Sequence, residues 1–141
     1  MNSNYELDIP YIAGLFDGEG SIYYKQIIEK RKGKNPCKVW KIRMEMSMTD
    51  KNIIELVHET LMVGTVRERK FNTVPSHYKK QWRWSCSHRD ALHVCKLLWP
   101  HAIVKLHKIE QIIDHYEPDI QELNDNIIDL ALERERKKRG L

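Results

Sequence analysis

At 141 residues, 41% hydrophobic and 31% charged, the chain holds enough material for one domain with a modest core. No apolar run approaches membrane-span length, and the opening Met1 to Asp8 is polar, with no signal-peptide core. Three cysteines, Cys37, Cys86 and Cys95, lack the even count and spacing of a disulfide framework. The expectation is a soluble, intracellular protein with reduced thiols and no membrane contact.

The net charge of +4 is mild, but it is clustered. Lys30, Arg31, Lys32, Lys34 and Lys38 crowd one loop, and Arg67, Arg69 and Lys70 end one strand. Arg134 to Arg139 fill the tail, which by itself reads as solvated surface charge. Together such clusters suit a polyanionic partner.

In chain order, Asp8-Ile9-Pro10 is a helix start, with Asp as N-cap and Pro in the first turn. The helix runs over 9–18 and carries two small residues, Ala13 and Gly14, that allow another backbone to approach closely. It ends in Asp17-Gly18-Glu19-Gly20. The two glycines can take left-handed or strained angles, stop the helix and hold Glu19 just beyond its end. Ser21 to Ile28, aromatic and β-branched, is a strand. Lys30 to Lys38, with Gly33 and Asn35-Pro36, is a loop or hairpin tip. Val39 to Met48 alternates: Trp40, Ile42, Met44, Met46 and Met48 on one face, Lys41, Arg43, Glu45 and Ser47 on the other.

Thr49 or Asp50 caps a second helix with Ile53, Ile54, Val57 and Leu61 at helical spacing. Val63-Gly64 turns into a third strand, Thr65 to Phe71, with Arg67 and Arg69 on one face. A loop through Pro75 leads to a fourth, about Tyr78 to Cys86, where Gln81, Arg83 and Ser85 alternate with Trp82 and Trp84. Ser87 or Asp90 starts a helix through Leu98. Pro100 breaks it and opens the next, to about Tyr116. A last helical region, 119–138, would face inward with Ile120, Leu123, Ile127 and Leu130. Cys86-Ser-His88 and His93-Val-Cys95 do not make a zinc site, because residues two apart on a helix point to different faces.

The order α-β-β-α-β-β-α implies an α+β fold: an antiparallel four-stranded sheet with helices on one face and the other face open. Tyr23, Lys25, Lys41, Arg43, Glu45, Arg67, Arg69, Gln81 and Arg83 fall on the open face. An Arg- and Gln-rich β-ribbon suits the major groove of double-stranded DNA, since Arg pairs with guanine and Gln with adenine.

The run Ile12-Ala-Gly-Leu-Phe-Asp-Gly-Glu-Gly20, followed by Ser-Ile, resembles the signature of the LAGLIDADG homing endonucleases at all nine positions. The resemblance covers the chain to about Tyr116, strongly at the signature and more loosely elsewhere. It implies a single domain over 1–141 of the single-motif, homodimeric type, joined through Ile12, Ala13, Gly14, Phe16 and Asp17. It implies an enzyme that hydrolyses both strands of a long, roughly palindromic target. Glu19 and the Gly18 carbonyl would bind Mg²⁺ shared at the dimer axis; Mn²⁺ would substitute, and Ca²⁺ would bind without cleavage. No small-molecule cofactor is expected. Asp17 resembles the position that caps the helix pair, a structural role. Lys105, with Lys108 as substitute, resembles a basic residue at the edge of the active site.

One position departs from the pattern: Met48 stands where the family often has a solvent-ordering Gln, leaving Ser47 or Thr49 to take over. That departure keeps open a non-cleaving nucleic-acid binding protein on the same scaffold, an intron maturase or a DNA-binding regulator. A protein–protein module that uses the signature helix only to dimerise leaves the basic face unexplained.

Overall fold

The computed structural model describes residues 7–70, 79–118 and 134. The expected ends of the third strand at Phe71 and the start of the fourth at Tyr78 lie outside those residues. So does the 119–138 helical region apart from Arg134.

Helix α1, Ile9–Glu19, opens as its sequence requires: the Asp8 carboxylate accepts from the Tyr11 N–H at 2.9 Å, and Pro10 lies in the first turn. Its end is a correction. Glu19 is the last helical residue rather than one beyond it, and Gly20 is extended (φ −85°, ψ 165°) rather than left-handed. Gly20 is there for space: a Cβ would sit 2.3 Å from the Phe16 ring. The helix therefore passes straight into strand β1, Gly20–Glu29, with no loop between.

Strand β2, Cys37–Met48, pairs antiparallel with the whole of β1, from Glu29 opposite Cys37 to Gly20 opposite Met46. Helix α2, Lys51–Leu61, starts on Asp50, whose carboxylate accepts from the Ile53 N–H at 3.2 Å. Gly64 (φ 92°) then turns the chain into β3, Thr65–Arg69. A side chain there would be strained and would meet the Ser85 carbonyl at 2.6 Å. Strand β4, Gln81–Ser87, inserts between β2 and β3, giving the sheet order β1-β2-β4-β3.

Helix α3, Arg89–Leu98, begins on neither Ser87 nor Asp90: His88 holds the cap position and makes no side-chain cap bond. Helix α4, Leu106–Tyr116, starts six residues after Pro100, because the intervening segment is drawn out against α1.

The core lies between the helices and one sheet face. Ile12 and Phe16 of α1, Ile54 and Val57 of α2, Val94 and Leu98 of α3 and Ile109 and Ile112 of α4 close on Ile42, Met44, Met46 and Trp84. Trp84 is anchored by its indole N–H, which donates to the Val63 carbonyl at 3.0 Å. At the far end of the β1-β2 hairpin, Trp40 stacks on Tyr24 (4.7 Å, 18°), and His115 of α4 meets both rings edge-on. Cys86 and Cys95 are buried; burial pushes the Cys86 thiol up to about 12 and raises that of Cys95. Both are neutral packing groups, with the Cys95 thiol 3.6 Å from the Met44 sulfur.

Of the tail expected as solvated charge, Arg134 is the described residue, and for it that view is corrected. It is 7% exposed and donates from Nε to the Trp99 carbonyl at 2.9 Å.

Candidate nucleic-acid interface and active site

All three strand registers pair odd-numbered residues with odd-numbered residues. Tyr23 stands opposite Arg43, Lys25 opposite Lys41, Ser47 opposite Arg83, Arg67 opposite Arg83 and Arg69 opposite Gln81. Side chains alternate across a pleated strand, so one parity shares one face across the whole sheet. Even positions carry the core. The odd positions of all four strands form the face away from the helices.

Every residue expected on the open face is on it: Tyr23, Lys25, Lys41, Arg43, Glu45, Arg67, Arg69, Gln81 and Arg83. Between them lie Ser47, expected only as a stand-in for the solvent-ordering Gln, and Ser21, Thr65, Ser85 and Ser87, which were not expected as site residues. Parity was the signal that could have found them.

The face is ordered by its own polar contacts. The Glu45 carboxylate lies 3.2 Å from Arg43 Nε and 3.8 Å from Arg83 Nε, holding two cations on neighbouring strands. Arg69 donates to Gln81 Oε1 at 3.2 Å. Two concavities indent it. One is lined by Ser21, Tyr23, Arg43, Glu45 and Arg83; the other, past the end of β4, by Tyr23, Lys41, Arg43, Ser87 and His88.

The helix α1 has two faces with different fates. Ile12, Ala13 and Phe16, expected at a subunit contact, are 0–1% exposed within this one chain. Their side chains belong to its own core, because helical spacing turns 12, 13 and 16 to one side. The outward stripe is Tyr11, Gly14 and Gly18, and among the described residues a Cβ built on either glycine meets nothing within 4 Å. Of the five expected contact residues, Gly14 is the one that presents open surface.

Asp17, the fifth, is engaged inside the chain. Its carboxylate accepts from the Ile103 N–H at 2.7 Å and from the Lys105 N–H at 3.1 Å. In return the Lys105 ammonium donates to the Asp17 carbonyl oxygen at 2.9 Å. These three bonds fasten the segment before α4 to the foot of α1. Lys105, rather than Lys108, is thereby brought to the end of the signature helix; Lys108 lies exposed one turn further along. A link between residues 88 apart leaves no local trace in sequence.

Glu19 is exposed at the same foot, and among the described residues its carboxylate has no ion pair or hydrogen bond. Because it leads directly into β1, it borders the open face where Ser21 begins it. With Asp17 occupied, one chain offers a single free carboxylate here. Among the described residues no three His, Cys, Asp or Glu side chains converge. Mg²⁺ is commonly held by one or two carboxylates together with water and phosphate oxygens. The donor set fits such an ion when a second chain and a phosphate complete it.

Met48 is half-buried and packs against the core, so its thioether is no solvent ligand. Ser47 lies on the open face and Thr49 is exposed.

An α+β unit with an open basic sheet and an acid at the foot of its first helix is a described class of structure. No protein-family model matches the chain, and no curated protein sequence matches it. Solved structures do. The homing endonuclease I-CvuI, in complex with the I-CreI target, aligns with a TM-score of 0.61 at 15% identity, over 75% of this chain and 63% of that one. The homing endonuclease I-TnaI aligns with a TM-score of 0.59 at 15% identity, over 96% of each chain. The LAGLIDADG meganuclease I-CpaMI, bound to uncleaved DNA, gives 0.59 at 11% identity, over 92% of this chain and 40% of that one. The chain has the fold of the LAGLIDADG homing endonucleases, the family whose signature its first helix resembles.

Proposed function

We propose that the chain is a site-specific DNA endonuclease that acts as a homodimer on both strands of a long, roughly palindromic duplex. The observation that carries this reading is the exposed, uncommitted Glu19 carboxylate where α1 runs into a basic sheet face. An unpaired acid bordering a surface suited to a polyanion repels DNA unless a cation stands between them. Glu19 and the Gly18 carbonyl would hold that cation: Mg²⁺ in function, with Mn²⁺ able to replace it and Ca²⁺ supporting binding alone. When bound, such an ion neutralises phosphate charge and makes water a better nucleophile.

This chain's own residues supply the rest. The open face positions the duplex through Lys25, Lys41, Arg43, Arg67, Arg69, Gln81 and Arg83, with Glu45 fixing two of the guanidiniums. Tyr23 lies among them. Lys105, held against α1, directs its ammonium toward the same foot and offers charge to the scissile phosphate. The Tyr11, Gly14 and Gly18 stripe allows a second α1 to pack at backbone distance, bringing two Glu19 side chains together. The chain occupies only 40% of I-CpaMI, which leaves room in that protein for two such units.

One observation favours a second reading, a non-cleaving binding protein on the same scaffold: Met48 is packed on the core where a solvent-ordering Gln would serve hydrolysis. Glu19→Gln separates the two. On selected duplex targets it should abolish cleavage in Mg²⁺ while leaving affinity in Ca²⁺ intact. A wild type that binds and never cuts establishes the second reading.

A further inference from the structure

His88 joins β4 to α3 in a conformation that few residues adopt, φ 55° and ψ −123°. These are the angles of the first corner of a type II′ turn, a place that favours glycine. A bulky side chain there is strained, by a cost typical of residues kept for function. The same residue holds the N-cap position of α3, where Ser, Thr, Asp or Asn would accept a hydrogen bond and His accepts none. Histidine is thus unfavourable here on two separate counts. Its backbone is pinned regardless, the N–H donating to the Ile42 carbonyl at 3.0 Å.

What the position does offer is a place on the open face. His88 lines the second concavity with Tyr23, Lys41, Arg43 and Ser87, and no carboxylate lines it. The neighbouring concavity differs, since Glu45 sits in it between two arginines. Among the described residues the imidazole of His88 and the ammonium of Lys41 have no hydrogen-bond or ion-pair partner. A hollow edged by the unpaired ammonium of Lys41, an imidazole, two hydroxyls and the Glu45-paired Arg43 suits an anion. It lies where β4 ends and the β1-β2 hairpin continues without it.

We propose that His88 and Lys41 form a seat for one backbone phosphate of the DNA, with the strained turn at His88 retained to aim its imidazole into that hollow. The inference rests on the DNA-binding reading above and adds a contact that reads no base.

The test is His88→Gly, with binding to several unrelated duplexes measured in Ca²⁺ and thermal unfolding measured alongside. Glycine accepts the turn, so the unfolding midpoint should stay level or rise. Affinity should fall about tenfold, the loss of one charge-assisted hydrogen bond, by the same factor for every duplex. Lys41→Ala, which leaves the backbone alone, should give a similarly uniform loss and lower the salt slope by about one. Unchanged affinity in His88→Gly overturns the proposal. So does a loss confined to particular base pairs, which would make His88 a base reader, and so does a lowered midpoint, which would mean the imidazole holds the fold. A wild type with no affinity for any duplex would sink the reading of the whole face; normal wild-type binding with an unaffected variant sinks only this seat.

Discussion

The two faces of the sheet are built from the same four strands and obey opposite rules. The even-numbered face is mostly apolar, with Gln26, Lys38 and Glu68 toward its ends, and Ile42, Met44, Met46 and Trp84 on it are nearly inaccessible to water. The odd-numbered face is rich in Arg, Lys, Gln and Ser, with Glu29 and Glu45 as its acids, and it is ordered by contacts such as those of Glu45 with Arg43 and Arg83 and of Arg69 with Gln81. Burial of the first stabilises the fold. The second contributes little to stability, because exposed ion pairs are worth little in water. A face so expensive in like charge, yet so regular over four strands, is explained by a partner of opposite charge rather than by folding.

The largest effect should come from the even face. Trp84→Ala removes a fully buried indole and the bond to the Val63 carbonyl, and should cost about 3–5 kcal/mol in denaturant unfolding. A small loss would mean the helix layer is not seated on the sheet as described. The matching change on the odd face, Arg67→Ala, should leave unfolding nearly unchanged. It should instead relax discrimination at one or two base pairs of the target by about 1–3 kcal/mol, read by competition among single-base variants. If Arg67→Ala destabilises the fold as Trp84→Ala does, the division between the faces is wrong.

The same division explains what could be read in the sequence. Alternation in Val39 to Met48 and in Gln81 to Cys86 places each residue on a face, because a strand's period is two and both faces have distinct chemistry. The cap at Asp8 was equally legible, and that of α2 was narrowed to Thr49 or Asp50, because both are local hydrogen bonds between residues three apart. Contacts between distant elements were not. The clamp of Asp17 on Ile103 and Lys105 moved the start of α4 from Pro100 to Leu106, and nothing near either end announces it. Arg134 misled for a similar reason: amid a basic tail, its one bond to Trp99 has no compositional mark. Ile12, Ala13 and Phe16 misled because the signature reads as one run of letters, whereas helical geometry divides it into an inward side and an outward one.

That division of α1 gives the smallest expected effect on the single chain and the sharpest test of assembly. Gly14 faces open space: a Cβ there meets nothing within 4 Å among the described residues, and Gly14→Leu replaces a poor helix former with a good one. Unfolding of the isolated chain should therefore stay level or improve by about 1 kcal/mol. Two α1 helices packed through Gly14 could not accommodate the added side chain at backbone distance, so sedimentation should show the variant as a folded monomer. On the proposed reading, in which cleavage needs two Glu19 carboxylates in one place, cleavage should disappear with the dimer while the sheet face keeps a weaker, one-sided hold on DNA. A variant that remains dimeric would move the subunit contact off this stripe, and with it the argument that two acids meet.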